Sequence, residues 1–161
     1  MVEQIKELSY SLGASEVGFA AVTPPEECAG LDNAVSIVVK LSDSVVDAIT
    51  DSPTYTYFHH YRTVNALIDH IALRVGILLE RAGARYVCVP ASQSQGREYK
   101  GLYSHKKAAV LAGLGSVGRN ALFLSKRFGC RVRLGTVHSA PPRSTREVAG
   151  VISCKAAMAF S

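Results

Sequence analysis

One apolar stripe constrains the fold of this 161-residue chain more than any other feature. From about Tyr57 onward, Tyr61, Val64, Leu67, Ile68, Ile71, Val75, Leu78 and Leu79 recur at helical spacing, and Gly83 supplies the stop. Arg62, Asp69, Glu80 and Arg81 fall largely elsewhere, so the pattern predicts a long helix with one face to bury. Such a face needs a sheet or a second helix against it. Candidate strands lie on both sides. Glu16 to Val22 and Ala34 to Leu41 are β-branched and apolar between Gly, Pro, Asn and Asp, and the second reads as buried. Arg85 to Pro90 reads as a third strand. Ahead of them, Ile5, Leu8 and Leu12 form the stripe of an opening helix over 2–12 that ends at Gly13.

The second half is more polar. Ala91 to Gly101 reads as a Ser- and Gln-rich loop long enough to be functional. His105 to Ala112 is expected as a short helix ending at Gly113, and Val117 to Phe128 as another ending at Gly129, with a glycine turn between them. Arg131 to His138 alternates, Val132, Leu134 and Thr136 facing one way and Arg131 and Arg133 the other, as in a strand with one buried face. Beyond Pro141-Pro142 the tail is weakly patterned, and no internal repeat is visible.

A hydrophobic content of 48% with 19% charged residues suits one compact domain. No apolar run approaches the roughly 20 residues that cross a bilayer. The N-terminus is acidic and amphipathic, unlike a signal peptide, so a soluble, cytoplasmic protein is expected. Cys28, Cys88, Cys130 and Cys154 are far apart, form no Cys-x-x-Cys pair, and read as free thiols in a reducing compartment. The net charge of +5 is unevenly spread: residues 1–96 hold 6 Lys or Arg against 11 Asp or Glu, and residues 97–146 hold 11 against Glu98 alone. Such a basic block either attracts phosphate, on a cofactor or on nucleic acid, or is a solvated surface.

Gly113-Leu114-Gly115-Ser116-Val117-Gly118 has the spacing G-x-G-x-x-G. A dinucleotide fingerprint must follow a strand and be answered by an acidic residue on the ribose. Here it follows the helix-compatible Lys106 to Ala112, and no Asp or Glu occurs over 99–146. Two readings of these glycines stay open: a tight corner between helices with Ser116 as a cap, or the close approach of a bulky ligand. His59-His60 cannot chelate together from a helix, where neighbours point about 100° apart, and reads as core or surface. Tyr55, Tyr57, Phe58 and Tyr61 either wall a flat ligand or pack at the start of the helix, packing being favoured. No metal-ligand spacing and no hydrolase triad signature is present.

The segment Ser104 to Asn120, His-Lys-Lys-Ala-Ala-Val-Leu-Ala-Gly-Leu-Gly-Ser-Val-Gly-Arg between its ends, resembles a signature of the epoxyqueuosine reductase and reductive dehalogenase group. Gly129-Cys130-Arg131-Val132-Arg133-Leu134-Gly135-Thr136-Val137 resembles the next strand of that group, and the similarity extends over roughly residues 50 to 140. The resemblance implies an α+β fold, an α/β sandwich of the nitroreductase-like type with a mixed sheet flanked by helices, over 1–140. It also implies a cobalamin site involving Ser104, His105, Lys106, Gly113, Leu114, Gly115, Gly118, Asn120, Arg131 and Arg133. Cobalamin needs an apolar cavity, backbone donors and positive charge, and the glycine corner and the basic half would supply the last two. No Asp-x-His-x-x-Gly motif occurs, so a protein histidine on cobalt in that manner is not indicated.

The departures matter equally. Epoxyqueuosine-reducing relatives carry a catalytic aspartate upstream of Ala-Gly-Leu-Gly, whereas residues 92–112 contain only Glu98 as an acid. In a C-x2-C-x2-C-x3-C cluster motif, Cys154 at the second position leaves Val151, Ala157 and Ser161 at the others. Residues 141–161 thus read as a degenerate remnant, and no 4Fe-4S cluster is expected in this chain. A corrinoid-binding domain, with catalysis left open and dependent on an external electron-donor protein, is the first reading. A non-catalytic module for a lipid or flavin is the alternative. RNA binding through the basic half ranks third, and a homodimer is an open expectation.

Overall fold

The computed structural model describes residues 1–92 and 101–141. The expected loop over 91–101, with Glu98, lies largely outside the described residues, and so does the tail with Cys154. Helix α1 (Val2–Ser11) opens the chain, followed by β1 (Glu16–Ala21), β2 (Asn33–Lys40), the short α2 (Asp43–Asp47) and the long α3 (Tyr55–Arg81). Then come β3 (Arg85–Val89), α4 (His105–Leu111), β4 (Gly115–Val117), β5 (Phe123–Ser125) and β6 (Val132–Ala140). The Thr54 hydroxyl caps α3 by accepting from the Tyr57 amide at 3.0 Å, and Arg81 lies in its last turn, where a cation suits the helix dipole.

Helices pack on a four-stranded sheet in the order β1-β2-β6-β3, so the fold is α+β as expected. The sheet is not mixed, however: every described pairing is antiparallel. The reason lies in where the chain returns. β2, α3 and β3 form a crossover that leaves β2 and β3 running parallel, and β6 enters between them, antiparallel to both. That central place also corrects the single buried face expected for 131–138. β6 is covered on both sides, and its residues from Leu134 to Ala140 are all buried.

α1 and α3 cover one face, where Ile5, Ile68, Ile71, Val75 and Leu79 meet Val35, Ile37 and Val137, each essentially inaccessible to solvent. Burial of a side chain of this size stabilises by about 1.5–3 kcal/mol. On the other face, α4 sets Ala108 and Ala109 against the sheet, their small side chains allowing close approach.

The helix expected over Val117 to Phe128 does not form; β4 and β5 make a hairpin instead. Phe123 and Ser125 are buried and Leu124 is exposed, a period of two that the helix-forming residues around them mask. Ser116 therefore lies in β4 rather than capping a helix. The glycine corner joins helix to hairpin. Gly113 ends α4 with φ +74, and a Cβ at Gly115 would overlap the Leu124 carbonyl oxygen across the hairpin.

These two glycines predict unequal costs. Gly113 has open space around it, so Gly113→Ala costs only the left-handed backbone penalty of about 1–2 kcal/mol. Gly115→Ala meets a backbone atom that cannot rotate away, and its cost lies at or above the ~3 kcal/mol end of ordinary overpacking. Urea unfolding of the two variants checks the order, and equal losses would contradict it.

Candidate ligand-binding cleft

Beyond the carboxyl ends of β2 and β3, where β6 begins, lies a cleft of about 660 Å³. Parallel strands place their carboxyl ends on one edge, the usual location of ligand sites in sheets with such a crossover. Leu41, Val46, Ile49, Tyr57 and Tyr61 line one side, and Tyr103, Leu122, Phe123, Val132 and Leu134 contribute to the rest. Polar groups enter from Ser92, Ser104, His105, Lys106, Arg131 and Arg133.

His105 is fixed by its neighbours. Its Nε2 lies 3.1 Å from the Pro90 carbonyl, which can only accept, so that nitrogen carries the proton. Nδ1, 2.9 Å from the Thr136 hydroxyl, then accepts. The ring ties the end of β3 to the start of α4 and the middle of β6. Burial pushes its pKa down, against the Pro90 hydrogen bond that raises it, and Arg133 lowers it further. Both nitrogens are spent on the protein, and the neutral ring serves as wall.

The three cations of the cleft have different partners. Arg131 reaches Asp43 at 3.3 Å and Asp47 at 2.7 Å, which closes α2 over the start of β6. Lys106 donates to the Ala121 carbonyl at 2.9 Å, holding the hairpin turn in which Ala121 has φ 60. Arg133 donates through Nε to Asn65 Oδ1 at 2.9 Å, and its guanidinium carbon stands 4.1 Å from the centroid of the Tyr61 ring.

Of the ten residues expected at a cofactor site, Ser104, His105, Lys106, Arg131 and Arg133 thus come together on this cleft. Gly113, Leu114, Gly115, Gly118 and Asn120 do not line it. Leu114 lies against Gly18 of β1, and Gly118 and Asn120 form the hairpin turn, where Asn120 Oδ1 accepts from the Leu122 amide at 3.2 Å. The aromatic group divides too: Tyr57 and Tyr61 wall the cleft, while Tyr55 and Phe58 are exposed. His60 accepts from the Ser42 amide at 3.0 Å, ahead of α2, and does not pair with His59. Sequence reasoning missed Asn65 and Thr136 as site-supporting residues. Each is a polar residue at a position whose neighbours in the pattern are buried, and that interruption was the available signal.

Cys28, Cys88 and Cys130 are free thiols. Burial pushes Cys88 up to about 11, which keeps it protonated and unreactive. Among the described residues no cluster of His, Cys, Asp and Glu could hold a metal ion, and no helix is long and apolar enough to cross a membrane.

No protein-family model matches the chain, and no curated protein matches it. Solved structures do share its fold. That fold is found in reductases of two kinds, the groups that segment 104–137 resembles. A catabolic reductive dehalogenase, NpRdhA, superposes with a TM-score of 0.72 at 21% identity, over 89% of this chain and 21% of its own. An epoxyqueuosine reductase from Bacillus subtilis gives 0.57 at 15% identity, over 95% of this chain and 50% of its own. One from Streptococcus thermophilus gives 0.56 at 18%, over 92% and 48%. The chain therefore spans about a fifth of the dehalogenase and about half of the epoxyqueuosine reductases.

Behind the cleft, on the same face of β6 as Thr136, His138 is fully buried, and among the described residues neither ring nitrogen has a hydrogen-bond partner. Tyr103 packs edge-on against it at 4.6 Å. Burial pushes the His138 pKa down, opposed in part by the Leu31 backbone, which lies outside hydrogen-bonding geometry. His105 shifts the same way. A histidine with a depressed folded pKa takes up its proton more readily when unfolded, so the unfolded state binds more protons just below the ordinary value of about 6.5. Stability is fully present above that pH and is lost as pH falls through the window beneath it. Urea midpoints measured from pH 8 to pH 5, a range spanning about 6.5, should be flat and then decline. His138→Leu should reduce the decline. An unchanged slope in His138→Leu would contradict the assignment.

Proposed function

We propose that this chain is a corrinoid-binding domain related to epoxyqueuosine reductase, with the cleft beyond β2, β3 and β6 as its ligand site. One observation carries the reading: a cleft with apolar and hydrogen-bonding walls, in a fold shared with reductases that include a dehalogenase described as B12-dependent. The chemistry of the lining fits such a group. Leu41, Val46, Ile49, Tyr57 and Tyr61 would contact the apolar disc, and the hydroxyls of Ser92 and Ser104 would hydrogen-bond its amide arms. A volume of about 660 Å³ lies within the ~300–1,000 Å³ of ordinary small-molecule sites, so the cleft takes part of a corrinoid rather than the whole.

When bound, a corrinoid supplies a cobalt centre that accepts and delivers electrons. The protein's own residues supply position. His105 holds the Pro90 carbonyl and the Thr136 hydroxyl in place, and with both nitrogens engaged it shapes the wall instead of offering a ligand. Arg131, through Asp43 and Asp47, keeps α2 against the opening, and Tyr57 and Tyr61 would shield a bound ligand from water on that side. Turnover on this reading needs an electron-donor protein as partner. The apolar side of the cleft also suits the alternative occupant, a flavin or lipid held without catalysis.

Anaerobic titration with cob(II)alamin, read by absorbance and calorimetry, tests the proposal. The expected Kd is ~1 μM, equivalent to about −8 kcal/mol. Tyr57→Ala combined with Tyr61→Ala should weaken it at least about tenfold, a loss of ~1.4 kcal/mol. Absence of binding at micromolar protein overturns the reading, and a flavin or lipid found by native mass spectrometry after gentle extraction would replace it.

A further inference from the structure

Among the described residues Arg133 is the partly buried cation of the cleft with no carboxylate partner. Its Nε edge is used by Asn65 Oδ1, and its guanidinium carbon stands over the Tyr61 ring. Asn65 is itself buried, at 6% exposure, so the brace is fixed from behind. Both partners are neutral. Among the described residues the outer nitrogens of Arg133 meet no acceptor and no carboxylate pairs with it, although the side chain is partly buried. The contrast with its neighbours is informative: Arg131 is matched by two carboxylates, and Lys106 is tied to a backbone carbonyl.

A partly buried cation without a counter-charge is costly, and a protein that keeps one braced at the wall of a cleft holds it for something that arrives from outside. Guanidinium geometry narrows what that is. With Nε engaged, the outer N–H groups form a planar fork, the arrangement that grips two oxygens of one carboxylate or phosphate. The tyrosine contact and the asparagine hydrogen bond hold the guanidinium in place before the ligand binds, which reduces the entropy lost on binding.

We infer that Arg133 is an oxyanion-binding residue, and that the natural ligand of the cleft presents a carboxylate or phosphate to it. The inference deepens the reading of the cleft as a ligand site but does not require the ligand to be a corrinoid. Two sources carry the same chemistry: the phosphodiester of a corrinoid's nucleotide tail, or a separate small organic anion bound in the cleft.

The experiment uses the full chain with inorganic phosphate and acetate as probes, in the absence of any corrinoid. The Arg133 Nε–H resonance and tyrosine fluorescence, in a protein that has no tryptophan, report the site. Saturable shifts of both are expected with either probe. Arg133→Met should lower the affinity at least about tenfold. Arg133→Lys, which keeps the charge and guards against misfolding, should lose several-fold because the fork is gone. No saturable shift in the wild-type protein, or affinities unchanged in both variants, overturns the inference. The sources are then separated with cob(II)alamin and cob(II)inamide, which lacks the nucleotide tail. Loss of cobalamin but not cobinamide affinity in Arg133→Met assigns the anion to the tail, and equal affinities with phosphate bound alongside assign it to a second molecule. Failure of both corrinoids to bind while phosphate still does would remove the corrinoid reading and leave the oxyanion site standing.

Discussion

The insertion of β6 between β2 and β3 is the constraint on which the rest of the molecule depends. A strand hydrogen-bonded on both edges and covered on both faces cannot shift register by one residue, because every side chain would exchange faces. That fixity is what lets one strand serve two layers. Arg133 leaves β6 on the side of α3, where Asn65 and Tyr61 receive it, and Thr136 leaves on the side of α4, where it meets His105. The cleft edge is assembled from both faces of a single strand, and its geometry is as rigid as the sheet.

The same arrangement explains an apparent extravagance in the core. Ser36, Thr136 and His138 project from neighbouring positions of β2 and β6 toward α4, in a layer whose other members are mainly alanine and valine. Thr136 is answered by His105, whereas the Ser36 hydroxyl and both His138 nitrogens meet no partner among the described residues. Unanswered buried polar groups cost about 1–3 kcal/mol each. The cost is tolerable because the opposite face, with α1 and α3, is almost wholly aliphatic and supplies the greater part of the burial. Stability and site chemistry are thus divided between the two faces of one sheet.

Most of the framework was legible because it rests on helical periodicity and on apolar, β-branched runs with clear ends. α1 and α3 each announce a helical period over a sufficient length, β1, β2 and β3 are β-branched apolar runs between turn residues, and Gly13 and Gly83 mark stops that the structure uses at positive φ. Two features escaped for physical reasons. The β4–β5 hairpin is only three residues to a side, too short for alternation to outweigh the helix propensity of Ala121, Leu122 and Leu124. The all-antiparallel sheet depends on which strands become neighbours, and a crossover that predicts two parallel strands cannot say that a third will part them. The candidate site was half legible. The basic residues at 104–106 and 131–133 were found from chemistry and resemblance, but their partners Asn65, Tyr61, Pro90 and Thr136 lie far away in sequence.

Those distant partners decide what a basic block means. By charge alone Lys106, Arg131 and Arg133 are equivalent, and each could be read as part of one phosphate-attracting surface. Packing makes them three different things: a clamp on a turn, a latch on α2, and a braced fork facing the cleft. Among the described residues only the third offers a pre-set planar fork: carboxylates that pair with Arg131 weaken its attraction for an arriving anion, and Lys106, bound to a neutral carbonyl, keeps its charge but presents a point cation on an exposed stem. Likewise the paired glycines, the most conspicuous motif in the chain, act at one remove. They let α4 stop and the hairpin fold back closely enough for Leu122 and Phe123 to reach the cleft, so the motif shapes the site through the side chains it delivers and not through its own backbone.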